Sequence, residues 1–175
     1  MEIPQLGFGT YLANDPAKLK AALHYAIEEC GVRHIDTAFA YFNQNVIGEV
    51  LKEIFAKGKI KREDMFITTK LWCTHWRKDL VEAELRYDLS QLQLDYVDLY
   101  IIHQPISLQS RDVKDTTIIP TDANGKIIIE QIDVLDTYHA MEECVKKGLT
   151  RHIGVSNFSI EMLERIWFNS EIKPC

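Results

Sequence analysis

The chain has 175 residues, 46% of them hydrophobic, which is enough for one domain with a sizeable apolar core. Its net charge of −6 and pI near 5.5 exclude a broad basic surface for nucleic-acid phosphates or an anionic membrane, because the one basic run, KGKIKRED from Lys57, is short and mixed in sign. No run of about 18 apolar residues is present to span a bilayer, and the start MEIPQLGFGT lacks the charged and apolar segments of a secretory signal, so a cytoplasmic protein is expected.

An opening strand is expected near Ile3 to Gly9. The first helix follows, since Leu19, Ala22, Leu23, Ala26, Ile27 and Cys30 recur at helical spacing. Asn14 or Asp15 can cap it, Pro16 suits its first turn and Gly31 can end it. Four further apolar runs read as buried strands: Val32 to Thr37, Met65 to Lys70, Tyr96 to His103 and Arg151 to Val155. Their middles, Ile35, Ile67, Leu99 and Ile153, are separated by steps of 32, 32 and 54 residues, so a repeated unit is followed by one with an insertion. Val81, Leu85, Leu89 and Leu92 form a second helical stripe, and Val134, Tyr138, Met141 and Val145 a third that Gly148 can end. Alternating strands and helices imply a parallel sheet, because a parallel neighbour is reached only through a crossover along the sheet face. The long third step is accounted for by Pro105 to Glu130, a loop carrying Pro120 and the turn-like Asn124-Gly125. It fits a substrate-facing loop and an inert surface excursion equally well.

The chemically capable residues fall where such a fold would gather them. Asp36, Lys70 and His103 stand at the C-terminal ends of three different strands, and Tyr41 follows Asp36 by five residues. In a barrel of parallel strands these ends share one rim, so residues far apart in sequence converge on one pocket. Each alone has an ordinary explanation as a helix cap, a solvated lysine, a packing tyrosine or a structural histidine. The four cysteines, Cys30, Cys73, Cys144 and Cys175, are widely spaced and contain no C-x-x-C pair, so packing roles are expected and no metal site is implied. Cys73 lies three residues from Lys70, and a thiol of lowered pKa there is the alternative. GFGTYL is not the dinucleotide fingerprint, since its third glycine is missing and no helix opens directly after it.

HIDTAFAYFNQ at 34 to 44, TTKLW at 68 to 72, IIHQP at 101 to 105 and GVSNF at 154 to 158 resemble, in order and spacing, the successive motifs of the aldo-keto reductases, and GFGTY at 7 to 11 resembles their first-strand motif. The resemblance implies a (β/α)8 TIM barrel of α/β class, and an NADPH-dependent reductase of aldehydes and ketones, open-chain sugars included. It implies Tyr41 as the general acid, Lys70 as the cation beside it, Asp36 as the counter-ion of Lys70 and His103 as the residue that orients the substrate oxygen. A lysine cation next to a tyrosine is expected to lower the cost of releasing its proton, and a carboxylate to keep that lysine charged. Thr10, Asp36, Ser156 and Asn157 are implied cofactor contacts; Tyr11, Trp72, His103 and Gln104 are implied substrate contacts. The Ser156-Asn157 pair has a second reading as a helix cap, and Trp72 one as ordinary core. No metal is required.

Two departures accompany the resemblance. Gln104 stands where many such reductases carry a tryptophan, making that side of the pocket smaller and more polar, and Phe42-Asn43-Gln44 has glutamine where glutamate is common. The sequence also stops at Cys175, after five of the eight strands of a barrel that typically needs about 250 residues. Residues 1–175 are therefore expected to be a single incomplete barrel domain, with bare strand edges that favour self-association. A small carbonyl compound is the expected partner, with neither nucleic acid nor membrane. The competing expectations are a non-catalytic reductase-like module that binds a partner protein, and a barrel hydrolase or isomerase using Asp36 and His103 as acid and base.

Overall fold

The computed structural model describes residues 3–175. Five parallel strands form one sheet in chain order: β1 (Phe8–Gly9), β2 (His34–Asp36), β3 (Phe66–Leu71), β4 (Val97–Ile102) and β5 (Thr150–Val155). Phe8 lies opposite Ile35, Ile35 opposite Ile67, Thr68 opposite Leu99 and Tyr100 opposite Ile153. The middles of the four repeating strands are thus in near-register, although the step from β4 to β5 is the longer one. Helices α1 (Pro16–His24), α2 (Gln44–Ala56), α3 (Lys78–Leu92) and α4 (Val134–Lys146) provide the crossovers, and α5 (Ile160–Asn169) follows β5.

Successive helices pack on one another and together cover one face of the sheet. Side chains alternate across a strand, so Ile35, Ile67, Leu71, Tyr100, Ile102 and Ile153 enter the main core with Leu23 and Ile27 from the first helical segment, Ile47 and Leu51 from α2, Leu85 from α3, Met141 from α4 and Ile166 from α5. The intervening residues, Asp36, Thr68 and Lys70 among them, face the other way. At about 25 cal/mol per Å² of apolar surface removed from water, burial of this layer is the dominant stabilising term.

The helix ends follow local chemistry. Asp15 caps α1, its Oδ1 accepting from the N–H groups of Ala17 and Lys18 at 3.1 Å each, and Pro16 occupies the first position, where its missing donor costs nothing. The chain continues past α1 as a π-helical turn over Tyr25–Glu29 before Gly31, whose φ of +73° suits a residue without Cβ. Gly148 does the same after α4, with φ +72°.

Two expectations need correction. The opening strand was expected over Ile3 to Gly9, but only Phe8 and Gly9 pair, because Pro4 has no N–H to give and Gln5 and Leu6 form a bend. Helix α2 was implied by the strand spacing without being picked out. Its buried residues Val46, Ile47, Val50, Leu51 and Ile54 nonetheless carry a clear helical period.

The segment after β4 is a tied excursion. Isolated antiparallel bridges join Leu108 to Ile129 and Thr121 to Ile127, and Ser107 is buried at its root. None of the described helices is long and apolar enough to cross a membrane.

Candidate active site

The C-terminal ends of β1 to β5 bring the expected residues onto one rim. Asp36 ends β2, Lys70 lies one residue before the end of β3, and His103 follows β4. Tyr41 closes a 3-10 turn, Phe39–Tyr41, that leaves β2. Lys70 Nζ is the hub. It donates to Asp36 Oδ1 at 2.6 Å, to the Thr37 carbonyl at 2.8 Å and to the Tyr41 hydroxyl at 3.3 Å. The Tyr41 ring packs edge-on to that of His103, with centroids 5.6 Å apart.

Backbone and amide contacts fix this arrangement. Thr10, fully buried just after β1, donates through both its N–H and its hydroxyl to the Asp36 carbonyl, at 3.0 and 3.1 Å. Asn43 Nδ2 donates to the Thr10 carbonyl at 2.8 Å, and its Oδ1 accepts from the Thr37 hydroxyl at 3.4 Å. Sequence reasoning gave Asn43 no role. An asparagine before a helix reads as a cap, yet here it makes no cap bond to α2 and instead ties the Tyr41 segment to β1.

The electrostatics depart from expectation at Tyr41. Burial, then the Asp36 charge and then Tyr11, raise the phenol above its ordinary value, so the anticipated lowering by Lys70 does not prevail. Lys70 is itself lowered, chiefly because it is buried, with Asp36 opposing. Burial and then the Lys70 charge push His103 down to about 4, so its imidazole is neutral at physiological pH. The buried His103 Nδ1 has no hydrogen-bond partner among the described residues.

The remaining expected residues surround this centre. Tyr11 is exposed, with its ring 5.1 Å from that of Tyr41. Trp72 packs edge-on to His103 at 5.1 Å and donates its indole N–H to the Ile118 carbonyl at 2.7 Å, which draws the long loop against the site. That contact favours the site-facing reading of the loop over the inert one. Gln104 is half-buried next to His103. Ser156 and Asn157 follow β5, and Asn157 Nδ2 donates to the His103 carbonyl at 2.8 Å and to Ser156 Oγ at 3.0 Å. The cap of α5 is Ser159, whose Oγ accepts from the Met162 N–H, so the pair is not that helix's cap.

Two alternatives lose support here. Burial raises the Cys73 thiol to about 12, which makes it a packing residue and not a thiolate. Asp36 is engaged by the Lys70 ammonium, a poor arrangement for a general base, which disfavours the hydrolase or isomerase reading.

The model of the Aldo/keto reductase family matches residues 5–175. The chain belongs to the aldo/keto reductase family. Among curated relatives, it is 45% identical over 166 residues to prostaglandin F synthase 1 of Bos taurus, covering 94% of this chain and 50% of that protein. It is 48% identical to prostaglandin-E(2) 9-reductase of Oryctolagus cuniculus, with the same coverage. Among solved structures, aldose reductase from Giardia lamblia superposes with a TM-score of 0.90 at 40% identity, over 98% of this chain and 55% of that one. Aldose reductase from Schistosoma japonicum gives a TM-score of 0.93 at 38% identity, over 100% of this chain and 56% of that one. The fold is thus that of the aldose reductase TIM barrel, and the chain spans about half the length of the relatives it matches. Members of the family are oxidoreductases.

Proposed function

We propose that this aldo/keto reductase chain supplies the reacting groups for reduction of an aldehyde or ketone to an alcohol, with Tyr41 as proton donor and NADPH as cofactor. The observation that carries the reading is the Lys70 ammonium, shared between Asp36 and the Tyr41 hydroxyl on a rim that also holds a neutral His103.

NADPH supplies the hydride when bound. Tyr41 then gives its hydroxyl proton to the carbonyl oxygen, and the adjacent Lys70 ammonium stabilises the phenolate left behind. Asp36 keeps Lys70 charged despite its burial. The neutral His103 donates a hydrogen bond to the substrate oxygen and holds it towards Tyr41. Trp72, Tyr11 and Gln104 offer two aromatic surfaces and one amide as pocket walls. The donor set fits a nicotinamide: Ser156 Oγ and the Asn157 amide are hydrogen-bonding groups suited to its carboxamide, beside the His103 carbonyl. Thr10 supports the Asp36 end of the same rim. Open-chain sugars are within the substrate class, because Gln104 makes one side of the pocket polar. We assign the protein to the cytoplasm and its residues 1–175 to one barrel domain.

The test is titration of the protein with NADPH, following cofactor fluorescence, together with aldehyde-dependent NADPH loss. Saturable binding with turnover is expected. Saturable binding without turnover on any aldehyde or ketone would contradict the assignment of the rim as a reducing site.

A further inference from the structure

Behind the strand that carries Lys70, on the face turned away from the rim pocket, runs a buried chain of polar groups. Gln44 Nε2 donates to Thr69 Oγ1 at 2.7 Å, and the same hydroxyl donates to Asp88 Oδ2 at 2.6 Å. Thr69 and Asp88 are fully buried and Gln44 nearly so. Polar groups in an apolar layer are costly unless paired, and the pairing here is directional: Thr69 spends its one proton on Asp88 and accepts from Gln44.

The chain spans three elements. Thr69 is the immediate neighbour of Lys70 in β3, Gln44 opens α2 three residues after Tyr41, and Asp88 lies in α3. Little slack separates Tyr41 from Gln44. Phe42 is held in the left-handed region at φ +54°, and Asn43 is bound to Thr10 and Thr37. One turn earlier on the same side of α3, Glu84 accepts the Trp72 N–H with both oxygens at 3.1 Å and is paired with the buried His75 Nδ1. Helix α3 therefore grips β3 both before and after Lys70, and the grip at Thr69 extends to the segment that carries Tyr41.

We infer that the Gln44–Thr69–Asp88 chain sets the separation of Lys70 Nζ and Tyr41 OH, which makes these three positioning residues for the proton donor. The inference rests on the reading of Tyr41 as that donor. Four ionisable groups face the Tyr41 ring and hydroxyl: Tyr11 after β1, Asp36 of β2, Lys70 of β3 and His103 after β4. Of these, the Lys70 ammonium is the cation in contact with the phenol oxygen, so loosening it raises the Tyr41 pKa further. Burial, and next the Glu84 charge, push the Asp88 carboxyl well above the usual carboxylate range, and asparagine matches its shape while keeping an acceptor oxygen.

The experiment is an NMR titration of tyrosines labelled at Cζ, with Tyr41 assigned by loss of its signal in Tyr41→Phe, alongside kcat and KM for aldehyde reduction and the melting temperature. In Thr69→Val, the Tyr41 pKa is expected to rise by about one unit, and kcat to fall about tenfold with KM nearly constant. Asp88→Asn, which keeps an acceptor for Thr69, is expected to retain the parent values. Should Thr69→Val fail to fold, the joint variant Gln44→Met, Thr69→Val, Asp88→Leu leaves no polar atom orphaned and is read in the same way. A lower melting temperature with an unchanged Tyr41 titration overturns the inference and leaves the chain a purely structural feature. A shifted titration in a protein that reduces no carbonyl upholds the positioning and sinks the reductase reading alone.

Discussion

The two ends of the parallel sheet solve the problem of charge in opposite ways. At the N-terminal end, Asp98 is buried, accepts from Arg62 at 2.7 Å and from the Ile67 N–H at 2.9 Å, and forms an ion pair with Arg151 at 3.3 Å. Each guanidinium group lies over the Tyr96 ring, at 4.0 and 4.3 Å from its centre, and Arg151 also donates to its hydroxyl. One carboxylate thus has two cations, and the cations have an aromatic support. At the C-terminal end, the Lys70 ammonium is shared between one carboxylate and a tyrosine whose pKa is raised, and His103 is discharged, with a buried nitrogen that has no hydrogen-bond partner among the described residues. Three of the non-glycine residues with positive φ, Leu12, Phe42 and Asn157, also stand at this end, next to Tyr11, Tyr41 and Ser156. Strained backbone persists where the surroundings over-determine it, and here it lies beside the groups that would react. One end is organised for cohesion, and the other carries the groups proposed to react.

Removing charge at each end sharpens this contrast. Asp98→Ala leaves the largely buried Arg62 and a strand N–H without their acceptor, and is expected to cost about 3 kcal/mol in denaturant unfolding. Lys70→Met is expected to change stability by no more than about 1 kcal/mol, since it deletes a buried cation whose partner Asp36 is over a third exposed and can be hydrated. Reduction should nevertheless fall by two orders of magnitude or more, as is typical when acid–base chemistry is disrupted. Equal stability losses in the two variants would erase the distinction between the ends.

Much of this organisation is legible in the sequence. The strands β2 to β5 announce themselves because buried parallel strands are nearly continuous apolar runs, and the equal spacing of β2, β3 and β4 follows from a repeated crossover. Asp36, Tyr41, Lys70 and His103 could be placed on one rim because the C-terminal ends of parallel strands necessarily meet. Less visible was anything that depends on which side of a helix is covered. Glu84 and Asp88, beside the apolar stripe of α3, were not singled out, yet both are completely buried, held by Trp72, His75 and Thr69. The raised Tyr41 pKa was hidden for a similar reason, since a motif states which groups are adjacent and not how much water they lose.

A smaller effect refines the picture at the reactive end. The His103 imidazole should titrate at about 4 in the folded protein, well below its ordinary 6.5. The unfolded chain then binds this proton more readily, so the histidine's contribution to stability is complete above about 6.5 and is lost as pH falls towards 4. Proton NMR of the imidazole, compared with a His103→Asn variant, checks both the value and the sign. Titration near 6.5 would mean that the histidine is solvated and that the pocket around it is more open.

The central claim is that Tyr41 is present for chemistry and not for cohesion, and Tyr41→Phe tests it most directly when turnover, cofactor affinity and unfolding are measured on the same preparation. The account predicts a loss of aldehyde reduction of about 100-fold or more, with NADPH affinity and melting temperature close to those of the parent. Reduction that persists at a comparable rate would contradict it.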